Sequence, residues 1–390
     1  MRSEDAMLRF AWSDFCDGLK QAGEIAFDPA LPQHQLDQSS GLRQVARNIA
    51  LALQFELENC DPLHPQLMHY FDAVRKQGGD NPDALYLGAP INGLDHYRIS
   101  GSRGTANYLA VTAVESGGTP FGGSPASMLQ GDNLEVASDG TFEINIGPEP
   151  CGPNWLKTSP ETYRVTIRQF FGDWERERPM RAAIERIGTM APRSVPGADD
   201  LAHGLARSSE WLATSVRYWA EMLARWKQEP GIFRAYSELG TSKIDATPGG
   251  EPVTAYWTLP RDEALVVRVI PPEARYWSVE LGNAWWESMD YRDRLSSTNC
   301  HYAHLEQDGE LIIVIAHEDP GVPNWLDASG YAEGYITFRW IGVQTSPRPT
   351  MERTRLDELA SALGPCTRVD EQERVAQIKA RQRGLLNRVS

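Results

Sequence analysis

Two stretches of the chain decide its fold: residues 139–146, with the sequence DGTFEINI, and residues 308–315, with the sequence DGELIIVI. Each stretch is followed by the same four letters, PNWL, at residues 153–156 and 323–326. The distance from the Asp to the Asn is 15 residues in the first copy and 16 in the second. An ordered pattern that recurs in nearly the same register indicates an internal repeat.

Arginines extend the same repeat in both directions. Arg168 lies 13 residues beyond the Trp of the first copy, and Arg339 lies 14 residues beyond that of the second. Upstream, Arg98 and Arg268 precede their Asp-Gly pairs by 41 and 40 residues. The upstream Arg, the Asp-Gly pair, the PNWL segment and the downstream Arg thus recur in the same order. These four landmarks predict two related β units.

The chemistry of the repeat predicts its local structure. Asp-Gly between alternating residues is the favoured sequence for a two-residue hairpin turn, because both positions need positive φ. In the PNWL segment, Pro fixes its own φ, Asn tolerates turn geometry and Trp supplies a large apolar surface. We therefore expect Asn154, Trp155, Asn324 and Trp325 to form structural corners.

Helical patterns surround both β stretches. Residues 5–77 and 176–228 are predicted to be helical, and two more helices are predicted after residue 350. Ser39-Ser40 is the expected start of one helix. A break at Pro248-Gly249-Gly250 introduces the second β stretch. Apolar side chains at helical spacing define two stripes: Leu42, Val45, Ala46, Ile49, Leu53 and Leu57; and Trp211, Val216, Trp219, Leu223 and Trp226.

The predicted fold class is α+β, with antiparallel β-sandwich units. The predicted organisation is a helical segment at 1–80, a first β-sandwich unit at 81–175, a helical connector at 176–250, a second β-sandwich unit at 251–345, and C-terminal helices at 346–390. A chain of 390 residues exceeds the size of most single cores, so division into more than one unit is expected.

One family shares the pattern of the second unit. The segment YWSVEL at 276–281, then Asn299, Asp308-Gly309, PNWL at 323–326 and Arg339 resemble the domain of unknown function 1214 family. The resemblance covers residues 270–345, with a degenerate copy at 85–175. It implies a jelly-roll β-sandwich for both units, and it brings no settled reaction.

Composition restricts the partners and the compartment. The net charge of −15 and the pI near 5.1 argue against a nucleic-acid partner, since phosphate backbones are bound by basic surfaces. Five cysteines without a CxxC pair predict reduced thiols and a cytoplasmic location. No apolar run is long enough to predict a membrane span. The basic residues after Arg368 are interpreted as a solvated helix face rather than a docking tail.

Residues 283–294, NAWWESMDYRDR, are the richest candidate site. We expect Trp285, Trp286 and Tyr291 to line a pocket, because aromatic rings with polar neighbours bind sugars and polycyclic ligands. Glu287 or Asp293 is the candidate general acid or base, and Arg292 the candidate anion stabiliser. The alternative is a loop that braces the second unit against its neighbour.

Histidines and a further arginine complete the candidate list. His301, His96 and Arg98 are added as substrate-binding candidates, because histidine titrates near neutral pH and arginine binds carboxylates. On an Asp-Gly hairpin, His301 and His304 alternate across the strand, so no metal site is predicted. Phosphate-loop and dinucleotide motifs are missing from the sequence, and no cofactor is expected.

Two functions remain open from the sequence. The first is a cofactor-independent enzyme of the lyase, isomerase or hydrolase type. Its substrate would be a hydrophobic hydroxylated small molecule such as a steroid, a terpenoid or an aromatic metabolite. The alternative is a non-catalytic binding module for a carbohydrate or a protein partner. A homo-oligomer is compatible with both.

Overall fold

The computed structural model describes residues 3–117, 119–188, 192–239 and 250–389. Its α-helices are α1 (Ser3–Gly23), α2 (Gln35–Leu53), α3 (Ala198–Trp226), α4 (Leu359–Leu363) and α5 (Glu371–Val389). Short 3₁₀ segments occupy Glu24–Phe27 and Tyr236–Leu239, and a π-helical turn occupies Gln54–Glu58. No helix within the described ranges is both long and apolar enough to cross a membrane.

The strands fall into two groups along the chain. The first unit contains β1 (Met68–His69), β2 (Ala84–Pro90), β3 (Tyr97–Ser102), β4 (Tyr108–Glu115), β5 (Pro125–Gln130), β6 (Thr141–Gly147), β7 (Trp155–Lys157), β8 (Thr162–Phe170) and β9 (Arg181–Arg186). The second unit contains β10 (Arg234–Ala235), β11 (Val253–Thr258), β12 (Glu263–Val269), β13 (Tyr276–Gly282), β14 (Ser297–Asn299), β15 (Leu311–Ala316), β16 (Trp325–Asp327), β17 (Glu333–Ile341) and β18 (Thr350–Arg355).

The two units have the same sheet topology. The large sheets have the strand orders β1-β2-β8-β4-β5 and β10-β11-β17-β13-β14. The small sheets have the orders β7-β6-β3-β9 and β16-β15-β12-β18. Each order in the second unit is that of the first with nine added to every strand number, which confirms the repeat. The small sheets are mixed rather than purely antiparallel, because β6–β7 and β15–β16 pair in parallel.

Each unit has its own apolar core between its large and small sheets. In the central strand β8, Val165 and Ile167 are fully buried in the core of the first unit. Side chains alternate along a strand, so Arg164, Thr166 and Arg168 lie on the opposite face of the sheet. The same alternation holds in the equivalent strand β17, and the polar faces of both large sheets therefore point away from the two cores.

The PNWL corners are structural in both copies, as predicted. Asn154 Nδ2 donates to the carbonyls of Glu135 and Glu143, and its Oδ1 accepts from Glu135 N. Asn324 repeats this pattern with His304 and Ile312.

The two Trp side chains of these corners are also equivalent. Trp155 Nε1 donates to the carbonyl of Gly147, and Trp325 Nε1 donates to that of Ala316. Both rings are half-buried.

The Asp-Gly turns differ from the predicted two-residue hairpins. Gly309 N donates to Glu306 O, and Glu306 N donates to Glu310 O, so the turn contains an additional residue. Gly140 and Gly309 both have φ of 85°, while neither Asp has positive φ. The strand β15 pairs with β12 and β16. The hairpin that was predicted to carry His301 and His304 on the strand before Asp308-Gly309 therefore does not form.

One pair of landmark arginines is not equivalent in space. Arg98 lies opposite Asn145, the residue that pairs with Trp155. In the second unit the residue in that position is Val266, and Arg268 lies two residues further along its strand. The nearly equal spacing from Arg98 and Arg268 to the turns is therefore coincidental.

Some predicted helical segments have other structures. Within 59–77 the chain is mainly irregular, and α2 begins at Gln35 rather than after Ser39-Ser40. The strands β9 and β18 lie in segments predicted to be helical, and each completes the small sheet of its unit. Of the predicted break at 248–250, only Gly250 is within the described residues.

The basic C-terminal helix is docked on the protein rather than solvated. Arg374, Arg381 and Arg388 follow one another at seven-residue intervals, and all three are buried. Arg374 Nη2 donates to Val322 O, Arg381 Nη1 to Ser297 O, and Arg388 Nη1 to Pro82 O. The interpretation of this tail as a solvated face is wrong for these three residues.

The outer faces of the two large sheets face each other, so the units pack sheet against sheet. Tyr108 stacks on Phe170 at 4.8 Å, and Phe170 contacts Tyr276 of the second unit at 5.2 Å. Tyr276 donates to Asp83 Oδ2 at 2.6 Å, and Trp174 Nε1 donates to Asp83 Oδ1 at 2.7 Å. The polar faces of β8 and β17 are thereby enclosed between the units.

Candidate functional site

The three aromatic residues of the predicted pocket lie in three separate clusters. Trp285 packs with Ala26, Leu31 and Ala220, and its Nε1 donates to Asp37 O. Trp286 packs with aromatic residues of α3 and β17. Tyr291 packs with Trp174 and Phe171. The structure does not bring these rings to one concavity, and they fill contacts between elements instead.

Glu287, in the same 283–294 segment, is also buried. Its Oε1 accepts from Arg47 Nη1 at 2.8 Å, and its Oε2 accepts from Asn283 Nδ2 at 3.1 Å. Burial raises the pKa of the Glu287 carboxyl, while Arg47 and Asn283 oppose that shift. Glu287 thus ties the loop to helix α2.

The remaining predicted residues lie apart from one another. Arg292 and Asp293 are exposed, and Asp293 accepts from Gln382 of α5. His301 Nε2 lies 3.6 Å from Asp173 Oδ2. His96 is exposed on the first unit, and Arg98 Nη1 lies 3.8 Å from Glu143 Oε1 in the small sheet.

A cavity of about 80 Å³ lies between the two units, and three of its four charged lining residues are arginines. Arg164, Thr166 and Arg168 reach it from β8, and Arg339 reaches it from β17. Arg168 and Arg339 are the seventh residues of their nine-residue strands. The repeat therefore places two equivalent guanidinium groups at one cavity.

Arg339 is held by a buried carboxylate and by the backbone. Its Nη2 donates to Glu280 Oε1 at 2.8 Å and to Gly79 O at 2.6 Å. Burial raises the pKa of the Glu280 carboxyl to about 7, against the opposing effect of Arg339. The proximity of Glu280 keeps the pKa of Arg339 well above its ordinary value, so that the guanidinium stays charged.

Arg164 is held by aromatic rings and has a donor atom that is unpaired within the described structure. Only 8% of its surface is exposed, and its guanidinium lies 4.2 Å from the ring centre of Phe55 and 4.6 Å from that of Tyr70. Its Nη2 has no hydrogen-bond acceptor among the described residues. A buried charged donor without an acceptor requires an explanation, and a bound ligand is one.

Asp80 supplies the carboxylate of the cavity. Its Oδ1 accepts from Ser288 N at 3.0 Å and its Oδ2 from Ser288 Oγ at 2.7 Å. Burial raises the pKa of Asp80, and the charge of Lys76 opposes that shift. A carboxyl of raised pKa beside arginines can exchange protons with a bound molecule.

Aromatic rings line the rest of the cavity, among them Tyr86, Phe121, Trp219 and Tyr236. Trp219 Nε1 is a second buried donor that has no acceptor within the part of the chain that the structure describes. Burial raises the pKa of the Tyr86 hydroxyl, so it stays protonated at neutral pH. The cavity thus combines apolar rings with an excess of hydrogen-bond donors.

Trp286 packs against Trp219, one of the residues that line the cavity. Its ring stacks on Tyr335 at 4.9 Å and on Trp219 at 6.2 Å. Tyr335 occupies the position in β17 that Arg164 occupies in β8, four residues before the equivalent arginine. The space beside Tyr335 is filled by Trp286, whereas a groove lies open beside Arg164.

Comparison with known proteins identifies the family. A family model described as Protein of unknown function (DUF1214) matches residues 86–172 and 264–345. A crystal structure of an uncharacterized protein from Burkholderia cenocepacia is 31% identical, with a TM-score of 0.86, and the match covers 91% of this chain and 99% of that one. This chain belongs to the DUF1214 family.

A second solved structure is more distant from this DUF1214 protein. The VPA0106 protein from Vibrio parahaemolyticus is 11% identical, with a TM-score of 0.46, over 87% of this chain and 100% of that one. No protein with curated annotation is significantly similar in sequence.

Two arginines of the cavity could be identified from the sequence, although their role could not. Arg168 and Arg339 were landmarks of the repeat, and their alternation with apolar residues places them opposite the cores. The residues missed altogether are Arg164 and Asp80. Among the described residues, no three His, Cys, Asp or Glu side chains are grouped so that they could hold a metal ion.

Proposed function

We propose that the cavity between the two units binds a small organic anion. The observation that carries the proposal is Arg164, a nine-tenths buried guanidinium that faces the cavity and whose Nη2 meets no acceptor among the described side chains and backbone. Leaving such a donor unsatisfied costs about 1–3 kcal/mol, and more for a charged group. A carboxylate in the cavity would supply the acceptor, because its two oxygens match the guanidinium fork.

The lining favours a carboxylate attached to an aromatic or aliphatic body. Arg168 and Arg339 add positive charge, and Trp219 adds a donor without an acceptor in the described structure. The aromatic rings offer apolar surface for the rest of the molecule. With a volume of about 80 Å³, the cavity suits a single-ring aromatic metabolite better than a steroid or a terpenoid.

Binding of benzoate tests the proposal. We expect benzoate to bind the wild-type protein and to lose at least tenfold in affinity in Arg164→Met, since a charge-assisted hydrogen bond contributes about 1.5–3 kcal/mol. Isothermal titration calorimetry measures the affinity, and neutral benzamide should bind more weakly than benzoate.

The matched control is Arg261→Met, which removes an exposed arginine outside the cavity and should leave benzoate affinity unchanged. Thermal unfolding of each variant checks that it is folded. Equal benzoate affinity in the wild type and Arg164→Met would refute the proposed site, and so would the lack of benzoate binding to the wild type.

We further propose that the protein is a cofactor-independent enzyme in which Asp80 transfers a proton to or from the bound anion. The position of Asp80 in the cavity and its raised pKa support this role. The arginines would stabilise negative charge that develops on the substrate. The reaction type is a lyase, isomerase or hydrolase reaction on a hydroxylated aromatic metabolite.

The Asp80→Asn variant separates the enzyme from a binding module. Incubation with a panel of hydroxylated aromatic carboxylic acids, followed by mass spectrometry, should show conversion by the wild type. Asp80→Asn should lower the conversion by about 10²–10⁴-fold, the usual contribution of a general acid or base, while benzoate affinity changes little. Parallel loss of binding and conversion would assign Asp80 to binding, and a panel without conversion would favour the non-catalytic module for a carbohydrate or protein.

The type of β-sandwich, the cellular location and the oligomeric state are also proposals. We propose the jelly-roll type for both sandwiches, on the equal strand orders of the two units. The cytoplasmic location is supported by the five cysteines, all of which are free. A homo-oligomer stays a prediction.

A further inference from the structure

A second, larger concavity adjoins the central cavity at Arg164. This outer groove has a volume of about 440 Å³, and its lining includes Phe55, Cys60, Pro90, Pro120 and Trp211. Arg164 lines both the outer groove and the cavity, and it is the residue that they share.

The outer groove is mainly apolar in character. Rings of Phe55 and Trp211 meet edge to face at 5.5 Å, and Trp211 is fixed by donation from its Nε1 to Pro120 O at 2.8 Å. The charged residues Glu56 and Arg207 of the lining are already paired, with Arg207 Nε 3.4 Å from Glu56 Oε2. An occupant would therefore meet rings and aliphatic surface rather than free charge.

The guanidinium of Arg164, the shared residue, has room because the neighbouring Gly88 carries no side chain. A Cβ at Gly88 would lie 2.9 Å from Arg164 Nη2. The guanidinium is placed between the rings of Phe55 and Tyr70 by cation–π contacts, which are weaker than an ion pair. The guanidinium therefore stands between the cavity and the outer groove.

We propose that the cavity and the outer groove form one elongated site for an amphipathic carboxylic acid. The carboxylate lies among Arg164, Arg168 and Arg339, and an apolar alkyl or phenylalkyl tail extends past Arg164 into the outer groove. This inference rests on the proposed binding of an anion in the cavity, and it adds the class of ligand. The volume of the groove, larger than that of the cavity, accommodates the tail.

A chain-length series tests the inference. The probes are benzoate, 3-phenylpropionate, 5-phenylpentanoate and 7-phenylheptanoate, titrated calorimetrically into the full-length protein. Each methylene buried in the outer groove should raise affinity about fourfold, as expected for the transfer of one methylene group from water. The affinity of the longest acid should therefore exceed that of benzoate by well over a hundredfold.

Cys60 provides a matched pair of variants. Cys60→Phe narrows the outer groove, whereas Cys60→Ala removes the same thiol and leaves the groove open. The gain with chain length should disappear in Cys60→Phe and persist in Cys60→Ala, with benzoate affinity the same in both. Because Cys60 is half-buried in the lining, it also serves as a reporter if Cys60→Phe fails to fold.

Alkylation of the wild-type protein by N-ethylmaleimide gives that second measurement. Saturating 7-phenylheptanoate should slow the alkylation of Cys60 at least tenfold and leave that of Cys151 unchanged, as followed by peptide mass spectrometry. Benzoate should protect neither cysteine.

Three results overturn the inference and leave the proposed function in place. The first is Arg164-dependent binding of benzoate without a gain for longer acids. The second is a gain that persists in Cys60→Phe, and the third is an unprotected Cys60. If no carboxylate binds the wild type, the proposed function and the inference both fail.

Discussion

Replacing Glu280 with Ala is expected to lower the free energy of unfolding by about 3–5 kcal/mol, the usual loss when one partner of a buried ion pair is removed. Glu280 is fully buried, and it is the carboxylate that binds Arg339. Without it, a charged guanidinium stays buried between the two units and loses the carboxylate that pairs with it. Urea denaturation followed by tryptophan fluorescence measures the change.

Two comparisons define what the loss at Glu280 means. Asp357→Ala breaks an exposed pair, in which Arg355 Nε lies 3.1 Å from Asp357 Oδ1, and should cost less than about 1 kcal/mol. The double variant Glu280→Ala with Arg339→Met should recover part of the stability, because no unpaired charge is then buried. A Glu280→Ala protein as stable as Asp357→Ala would show that the pair does not stabilise the large sheet of the second unit.

The repeat could be predicted from sequence because its signals are local. Asn154 and Asn324 each bond backbone groups within 20 residues of themselves, so the spacing of the corner is fixed inside one unit. The register of Arg98 and Arg268 could not be predicted from the sequence, since it depends on how β3 and β12 pair with other strands. A shift of two residues leaves the alternation of faces unchanged, and spacing alone does not reveal it.

The central cavity could not be predicted, because it is formed by residues far apart in the chain. The contact between Arg339 and Gly79 spans 260 residues. In β8, the polar residues Arg164, Thr166 and Arg168 alternate with Val165 and Ile167, a pattern typical of a strand with one solvated face. The second unit covers that face, and a buried arginine cluster therefore has the same sequence pattern as an exposed one.

The aromatic segment illustrates the opposite difficulty. Its composition predicted that Trp285, Trp286 and Tyr291 would line a pocket, and all three are buried. A sequence indicates that a Trp needs apolar contact, but the partner can be a ligand or the protein itself. Here the described partners are other elements of the chain. This agrees with the alternative prediction, a loop that braces the second unit against its neighbour.

Replacing Trp286 with Ala is the second change with a large expected effect, a loss of about 3–5 kcal/mol in the free energy of unfolding. The ring is fully buried, lies 4.0 Å from the ring centre of Trp226 and stacks on Tyr335 and Trp219. Removing it leaves a cavity where α3, the 283–290 loop and β17 meet. Urea denaturation provides the measurement.

The backbone of Trp286 makes the prediction more specific. Its φ is 58°, in the left-handed region that costs a non-glycine residue about 1–2 kcal/mol. Trp286→Gly removes the same ring and also relieves this strain, so it should be no less stable than Trp286→Ala, although Gly costs about 0.5–1 kcal/mol relative to Ala inside a helix or strand.

Trp12, which is 60% exposed on α1, gives the control: Trp12→Ala should change the free energy of unfolding by less than about 0.5 kcal/mol. Since Trp286 contacts Trp219 and its carbonyl accepts from Gly79 N, both of which line the cavity, a folded Trp286→Gly protein should also bind benzoate more weakly. Unchanged stability in both Trp286 variants would mean that the loop does not brace the units, and unchanged benzoate affinity would mean that the shape of the cavity does not depend on it.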